Sequence, residues 1–251
     1  MITLLSAVPE EGKFFARQLK EKSLIGGKPV RRGVIYGKDV IHITSGLGKT
    51  NAAHAATILL EKFSPDILIV LGVGGAYPSS GLAVGDIAVA EKEVYGDEGV
   101  MMKGNFHGTE FMGIPLLKKG RKKYFNEFPL KRMLVERAVE AAQRIRHHSE
   151  GISRVGIGTF VTVSTCTGAR EKALELERTF SALCENMEGA AVVHVCATYD
   201  LPVIELRGIS NIVGDRDKNK WNVRLASARC QAAIKELLKD LCQIVPSGTE
   251  S

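Results

Sequence analysis

Residues 46–76 read GLGKTNAAHAATILLEKFSPDILIVLGVGGA, and this stretch decides the fold of the chain. The small and apolar side chains of Asn51–Phe63 are typical of a helix that packs on a core. A Pro-Asp pair then leads into the continuous apolar run Ile67–Leu71, which predicts a buried strand. The β-branched run Val40–Thr44 precedes the helix, so the order is strand, helix, strand. This order is the repeating unit of an α/β sheet.

The same alternation continues in both directions along the chain. Further strands are predicted at Ile2–Ala7, Val30–Tyr36, Ile87–Val89, Gly156–Val163 and Val203–Leu206. Further helices are predicted at Glu10–Glu21, Leu134–Ile145, Lys172–Phe180, Glu188–Tyr199 and Val223–Ile244. The segment Tyr95–Pro129 has no clear periodicity and is predicted to be a long loop. We therefore expect one α/β domain whose sheet is covered by helices on both faces.

Composition places the chain among ordinary globular proteins and excludes a membrane span. The 251 residues are 45% apolar and 25% charged, with a net charge of +6. The positive charge is concentrated in residues 118–146, which hold ten basic residues against three acidic ones. Few aromatic side chains accompany them, so we expect a solvated surface there and no nucleic-acid partner. The longest apolar run, Ile67–Ala76, is about half the length that a membrane span needs.

The cysteines and the N-terminus favour a cytoplasmic protein. Five cysteines are an odd number, form no CxxC pair and have apolar neighbours, so we predict buried, reduced thiols. The first residues lack a basic leader and a long hydrophobic region, and no signal peptide is expected. The histidines and cysteines show no HExxH or paired ligand spacing, so no metal site is expected.

Two glycine-rich motifs resemble nucleotide-binding loops but fail their spacing. The first, Gly46–Thr50, ends in GKT, yet Ile43 stands where a phosphate-binding loop needs its first glycine. The second, Gly72–Ala76, follows a buried strand, yet Tyr77 stands where GxGxxG needs its third glycine. We interpret the second motif as a glycine loop at the carboxyl end of a strand, which is either a ligand-binding position or simply a tight turn.

Three polar residues follow predicted strands or open predicted helices. Glu11 and its neighbour Glu10 come directly after the first strand, where they would also suit a helix N-terminus. Glu188 opens a strongly apolar helix, and a carboxylate there needs a hydrogen-bond partner or a ligand. Asn211 lies just after the strand Val203–Leu206. Two acids and an amide at strand ends would be able to share one cleft, although spacing alone does not prove it.

Four sequence blocks carry a family resemblance. They are ENMEGAAVVHVC at 185–196, AVPEE at 7–11, GLGKTNAA at 46–53, and GVGG at 72–75 followed by VGDI at 84–87. In order and spacing they resemble the purine nucleoside phosphorylase and nucleosidase superfamily, particularly the methylthioadenosine/S-adenosylhomocysteine nucleosidases. The resemblance implies a three-layer domain over residues 1–245 with a central mixed, twisted sheet flanked by helices, and a tail at 246–251. It also implies a homo-oligomer that uses no cofactor.

The same resemblance implies cleavage of an N-glycosidic bond in a small-molecule nucleoside. Glu11 would activate the attacking water, and Glu188 would bind the ribose hydroxyls. Substrate-binding positions would be Gly74, Gly75, Cys166, Thr167, Ser210 and Met187, of which Met187 would pack against the sugar. A phosphorylase would need arginines for phosphate in the first loop, whereas the sequence there is Pro9-Glu10-Glu11. Because these acids repel an anion, hydrolysis is favoured over phosphorolysis.

Asn211 departs from the pattern of the adenine-specific nucleosidases, which have an ISD motif where this chain has Ile209-Ser210-Asn211. An amide can donate to N7 and to a 6-oxo oxygen, so it suits hypoxanthine better than adenine. Asn211 would also be a catalytic residue, because the same donors assist a base that leaves with negative charge over N7 and O6. The block from Ser210 to Asp217, followed by Trp221, is similar to the SNxVGxRD…W block of the futalosine-hydrolysing members of the superfamily.

Futalosine carries a carboxyphenyl group beyond C5′, for which Arg216 and Trp221 are candidate contacts. Arg216 would alternatively pair with Asp215 or Asp217 and have only a structural role. The rival functions are an adenine-type nucleosidase and a nucleoside-binding module without turnover.

Overall fold

The computed structural model describes residues 1–146 and 154–244, in which strands alternate with helices. In chain order the elements are β1 (Ile2–Ser6), α1 (Lys13–Gln18), β2 (Glu21–Ile25), β3 (Lys28–Ile35), β4 (Lys38–Thr44), α2 (Lys49–Phe63), β5 (Ile67–Ala76), β6 (Ile87–Tyr95), β7 (Gly99–Met102), β8 (Asn105–Gly108), β9 (Leu117–Lys119), β10 (Lys122–Tyr124), β11 (Glu127–Pro129), α3 (Arg132–Arg146), β12 (Val155–Thr162), α4 (Arg170–Phe180), β13 (Ala182–Asn186), α5 (Gly189–Thr198), β14 (Val203–Ile212) and α6 (Val223–Ile244). Two 3₁₀ turns, Pro9–Gly12 and Lys218–Lys220, complete the set.

Ten of the described strands form one mixed sheet. Its order is β11-β6-β12-β13-β5-β1-β4-β3-β2, and β14 pairs with both β5 and β6. β1 is parallel to β4 and β5, β14 is parallel to β5, and β13 is antiparallel to β5. On the sheet, α2 packs against α5 and α3 packs against α6. The predicted α/β fold with a mixed sheet flanked by helices is confirmed.

The helix predicted at Glu10–Glu21 is wrong in its extent. The chain forms the 3₁₀ turn and then six helical residues, and Leu19 takes an extended backbone conformation. Glu21 already belongs to β2, which pairs antiparallel with β3. The helical spacing reflected the burial of Phe15 and Leu19, both fully inside the core. Pairing with β3 overrides helical propensity after Leu19.

The glycine loop predicted at Gly72–Ala76 is also wrong, because these residues continue β5. They pair with the second half of β14, with Gly72 beside Arg207 and Gly75 beside Asn211. β14 therefore runs well past the predicted end at Leu206. The missing side chains of the glycines leave room for polar groups of the neighbouring strand, as described below. Glycine depletion in average strands made this extension hard to predict.

Two other segments and one cysteine differ from expectation. The region Tyr95–Pro129 contains the short strands β7 to β11 instead of a featureless loop. β13 was not predicted at all. Cys166 is exposed, although buried cysteines were expected, whereas Cys184, Cys196 and Cys230 are buried and all four thiols are free.

The predicted helix bounds can be compared with the structure, whereas the predicted tail and domain boundaries cannot. The helices α2 to α6 begin and end within two residues of their predicted bounds. Among the described helices, none is long and apolar enough to cross a membrane. The predicted tail at 246–251 lies outside the described residues. The domain boundaries stay a prediction.

Candidate active site

Glu11 is the first acid of the site, and the backbone around it holds its carboxylate in place. The residue lies in the 3₁₀ turn that follows β1 and is only 4% exposed. Its Oε2 accepts hydrogen bonds from the backbone N–H groups of Ala7 (3.0 Å) and Val8 (3.1 Å). Its Oε1 accepts one from Val73 (2.8 Å). Burial raises the pKa of the Glu11 carboxyl, although the nearby Arg207 charge acts to lower it.

Glu188 is the second acid and lies at the junction of β13 and α5. The side-chain Oδ1 of Asn186 accepts from the backbone N–H groups of Glu188 (2.9 Å) and Gly189 (2.7 Å), which fixes the first turn of α5. The Oε1 of Glu188 accepts a hydrogen bond from the backbone N–H of Gly48 (2.9 Å). Gly48 has a φ of 89°, which favours glycine. The loop that resembled a phosphate loop therefore holds a carboxylate.

Arg207 is a site residue to which sequence reasoning assigned no role. It is 1% exposed and lies on β14 beneath both acids. Its Nη1 lies 3.6 Å from Oε2 of Glu188, and its Nε and Nη2 lie 2.9 Å and 2.8 Å from Oε1 of Glu205. The charges of Glu205, Glu188 and Glu11 raise the pKa of the guanidinium despite its burial. The sequence signal that was available is the pair Glu205 and Arg207 within an otherwise apolar strand, because buried charges need partners.

The glycines of β5 make room for this cluster. A Cβ built on Gly72 would lie 2.6 Å from Oε1 of Glu11 and 2.7 Å from Nη1 of Arg207. A Cβ on Gly75 would lie 3.2 Å from Nδ2 of Asn211. Gly74 lies between them and is buried. Gly74 and Gly75 thus line the strand that joins the acids to Asn211.

Hydrogen bonds fix the amide of Asn211 in one orientation. The Ser210 hydroxyl lies 2.8 Å from Oδ1 of Asn211 and 3.1 Å from the carbonyl oxygen of Gly74. The Nδ2 of Asn211 donates to the carbonyl oxygen of Ile212 at 3.2 Å. Rotating the amide by half a turn would bring two acceptors, Oδ1 and that carbonyl, together. Asn211 is half-buried, so one N–H of its amide remains to donate to a ligand.

The predicted residues Cys166, Thr167 and Met187 lie at the edge of the same cluster. Both the backbone N–H and the hydroxyl of Thr167 donate to the Glu185 carboxylate, at 2.9 Å and 2.5 Å. These donors are therefore used within the protein, and Glu185 is a buried acid that sequence reasoning missed. Sγ of the exposed Cys166 lies 3.2 Å from Sδ of Met187, which directly precedes Glu188. The two sulfur atoms form an apolar edge next to the acids.

Arg216 stacks on Trp221, with its guanidinium carbon 4.7 Å from the ring centroid. Asp215 instead pairs with Lys220 at 2.9 Å, and Asp217 lies 3.9 Å from the same lysine. Within residues 1–146 and 154–244, Arg216 forms no ion pair. The structural alternative, pairing of Arg216 with Asp215 or Asp217, is therefore not what the structure contains, and its exposed guanidinium can receive an anion.

Other concave surfaces lie away from these residues. A groove of about 1000 Å³ runs between α1 and α6, with Phe14, Arg17 and Lys235 among its lining residues, and includes none of the predicted site residues. In the part of the chain that the structure describes, no group of three or more His, Cys, Asp or Glu side chains is placed to hold a metal ion. The candidate site is thus the buried charge cluster with its adjoining amide.

Comparison with known proteins identifies the family to which the chain is similar. The family model described as the phosphorylase superfamily matches residues 1–239. The chain is 32% identical to a futalosine hydrolase of Thermus thermophilus over 206 residues, which are 82% of this chain and 84% of the relative. It is 29% identical to a 5′-methylthioadenosine/S-adenosylhomocysteine nucleosidase of Listeria welshimeri over 246 residues, 96% of this chain and 99% of the relative.

Solved structures show the same fold. The nucleosidase of S. pneumoniae, with the transition-state inhibitor MT-ImmA, superposes with a TM-score of 0.78 at 26% identity and covers 96% of this chain and 99% of its own. The nucleosidase of Neisseria meningitidis, in complex with methylthio-immucillin-A, gives a TM-score of 0.79 at 23% identity and covers 95% and 98% of the two chains.

Proposed function

Because the chain belongs to the phosphorylase superfamily, we propose that it is a nucleosidase that hydrolyses the N-glycosidic bond of a 6-oxopurine nucleoside, with futalosine as its substrate. The relatives include a hydrolase and several nucleosidases, which support the nucleosidase assignment. The products would be hypoxanthine and dehypoxanthine futalosine, within an alternative route to menaquinone. No metal or cofactor enters the proposal.

The buried acids supply the two functions that hydrolysis needs. Glu11 accepts a proton from water, whose oxygen bonds to C1′ as the bond from C1′ to the purine nitrogen breaks. The purine leaves with the electron pair of that bond, its negative charge stabilised by the Asn211 N–H, and then takes up the proton that Glu11 removed from water. Its raised pKa makes the carboxylate a stronger base than an exposed one. Glu188 accepts hydrogen bonds from the ribose hydroxyls and stabilises the positive charge that develops on the ring. The Arg207 guanidinium lies 3.6 Å from Glu188, and its charge interacts favourably with both carboxylates.

The observation that carries the choice of base is the fixed amide of Asn211. Ser210 and the carbonyl of Ile212 hold it with Oδ1 turned toward the hydroxyl, so that an N–H remains for the ligand. This single donor suits O6 of hypoxanthine, the acceptor that adenine lacks. The 6-amino group of adenine would present a second donor to it, and such a mismatch leaves buried polar groups unpaired.

The stack of Arg216 on Trp221 supports the choice of futalosine among 6-oxopurine nucleosides. Futalosine has a carboxyphenyl group beyond C5′, and the stack offers a cation together with an aromatic surface. A guanidinium binds a carboxylate with two parallel hydrogen bonds, and an aromatic wall packs on the phenyl ring. The Arg216 stem lies next to Gly168, the neighbour of Thr167, since a Cβ on that glycine would lie 3.6 Å from Cγ and Cδ of Arg216.

The second candidate is a methylthioadenosine/S-adenosylhomocysteine nucleosidase. It is favoured by the greater chain coverage of relatives with that name and by the solved structures that share the fold. The acids would work in the same way on either substrate. The two candidates therefore differ at the base and at the C5′ substituent only.

The deciding experiment measures the bases released from futalosine, inosine and methylthioadenosine by chromatography, with and without phosphate. The proposal expects hypoxanthine from futalosine at the highest kcat/KM, independent of phosphate. Preferential release of adenine would contradict it in favour of the second candidate. Rates that require phosphate would indicate a phosphorylase, and nucleoside binding without any release would indicate a non-catalytic module. Homo-oligomer formation stays a prediction that light scattering of the same sample would test.

A further inference from the structure

Two fully buried acids, Glu93 on β6 and Glu205 on β14, meet beneath the candidate site. Both side chains are 0% exposed. They meet beside Gly189, where a Cβ would lie 2.0 Å from Oε1 of Glu93 and 2.6 Å from each carboxylate oxygen of Glu205. The absence of a side chain at Gly189 therefore lets the two carboxyl groups approach each other. Nothing in the proposed reaction uses Glu93.

The hydrogen-bond donors around Glu205 leave one oxygen unpartnered. Its Oε1 accepts from both Nε and Nη2 of Arg207. Its Oε2 is buried and, among the described residues, has no protein donor. An orphaned buried carboxylate oxygen is costly, so a donor has to be sought among its neighbours.

Glu93 is placed to be that donor. Its Oε2 accepts from the Thr162 hydroxyl at 2.8 Å, and its Oε1 accepts from Nδ2 of Asn186 at 2.7 Å. Within the described part of the chain it forms no ion pair, so two ionised carboxylates here would repel each other with only Arg207 to compensate. A proton on Oε1 of Glu93, shared with Oε2 of Glu205, removes the repulsion and satisfies the orphaned oxygen.

We propose that Glu93 carries a proton at neutral pH and is a positioning residue, whose carboxylic acid donates to Glu205 and so holds Arg207 and Asn186 in place beneath Glu188. Through Glu205, the acid pair fixes the guanidinium that faces Glu188. Through Asn186, it fixes the amide whose Oδ1 receives the N–H groups at the start of α5. The catalytic part of this inference rests on the proposed nucleosidase function, whereas the protonation does not.

The surroundings of Glu93 agree with a neutral acid. Burial and the charge of Glu205 raise its pKa, while the Thr162 hydroxyl and the Arg207 charge act to lower it. The other titratable groups that interact with it are Cys184 on β13 and Tyr95 on β6, whose own pKa values burial raises. Neither group offers Glu93 a positive charge at neutral pH.

The first test compares the pH dependence of folding in the wild type and Glu93→Gln, whose amide offers the same donor and acceptor without titrating. If the pKa of Glu93 is higher in the folded than in the unfolded protein, the wild type is most stable relative to Glu93→Gln at low pH. This relative stability is lost as the pH rises toward the folded pKa. The ratio of folding constants, wild type over Glu93→Gln, is expected to fall about tenfold per pH unit between the unfolded and native pKa values, the signature of one proton. An infrared carbonyl band of a protonated acid, lost in Glu93→Gln, is the matching spectroscopic sign. A constant ratio and no band would overturn the protonation.

The second test asks whether Glu93 positions the site. Glu93→Leu removes the donor and should lower kcat by about 100-fold through misplacement of Glu188 and Arg207, with a smaller change in KM. Glu93→Gln is expected to restore most of that loss. Equal losses in both variants would overturn the positioning role. If the wild type cleaves none of the nucleosides, the proposed function is refuted instead. The pH dependence of folding then still tests whether Glu93 carries a proton.

Discussion

Nη1 of Arg207 lies 3.6 Å from Oε2 of Glu188, and both side chains are almost fully buried. The same guanidinium forms an ion pair with Glu205. Its charge also acts to lower the pKa of Glu11, which burial raises. One cation is therefore shared by three buried acids. The site is an excess of negative charge in a dry environment, which suits a reaction that passes through a ribosyl cation.

Removing Arg207 should separate the structural and catalytic parts of this arrangement. Arg207→Met leaves Glu205 as an uncompensated buried charge and is expected to lower the free energy of unfolding by about 3–5 kcal/mol. Arg207→Met with Glu205→Leu removes both members of the closest pair and should recover part of the stability, because Glu11 and Glu188 still lack the cation. Activity should stay low in the double variant because Glu188 still lacks its partner. Urea unfolding and kcat check this, and full recovery of activity would show that Arg207 acts only on stability.

The two acids should be needed individually for turnover. Glu11→Gln keeps the shape of the side chain but cannot take a proton from water, and we expect kcat to fall by about 10²–10⁴-fold. Its exposed neighbour Glu10 supplies the matched control, since Glu10→Gln should leave kcat unchanged. Glu188→Gln should also abolish most turnover, because it loses the charge that faces the ribose. Full activity in either site variant would refute the role assigned to that residue.

The decrease of kcat at low pH should follow the protonation of Glu11. Because its folded pKa is raised and the ionised form is the base, kcat should fall as pH drops through a pKa above the ordinary 4.5. Arg207 lowers that pKa in the wild type. Arg207→Met should therefore move the acid limb to higher pH. Steady-state rates across pH test this, and an acid limb that stays in place would separate Glu11 from the titration.

The fold was more predictable from sequence than the site, for a physical reason. Helices such as Val223–Ile244 are predictable because residues close in sequence form one apolar stripe, which is the face that the helix buries. The glycines at the end of β5 belong to a strand only because β14 lies beside them with Arg207, which is a non-local fact. Local patterns therefore gave the wrong structure there.

The candidate site could be predicted where a motif contains its residues, and not where a residue gains its proposed role by pairing with another strand. Glu11, Glu188 and Asn211 were predicted from blocks of similar sequence. Arg207 and Glu93 had no such motif, and their roles follow from partners on other strands. A buried charge in an apolar strand is the general signal for such residues, although it does not identify the partner.

The side chain of Arg216 should set the preference for the C5′ substituent. Arg216→Gln removes the cation but leaves Trp221, so KM for futalosine should rise while KM for inosine, which lacks the carboxyphenyl group, stays constant. Lys218→Gln, an exposed cation in the same segment, is the matched control and should affect neither substrate. Equal changes in KM for both nucleosides would contradict a contact with the carboxylate.

The amide of Asn211 should decide between 6-oxo and 6-amino purines. Asn211→Asp introduces an acid that can accept from the 6-amino group of adenine and, when protonated, donate to N7. The ratio of kcat/KM for futalosine over methylthioadenosine should fall, by up to the roughly 3 kcal/mol that one well-placed transition-state donor contributes. Asn219→Asp, on the exposed 3₁₀ turn, makes the same chemical change away from the site and should not alter the ratio. If Asn211→Asp also leaves the ratio unchanged, the selection of the base resides in other residues, and the argument from the fixed amide fails.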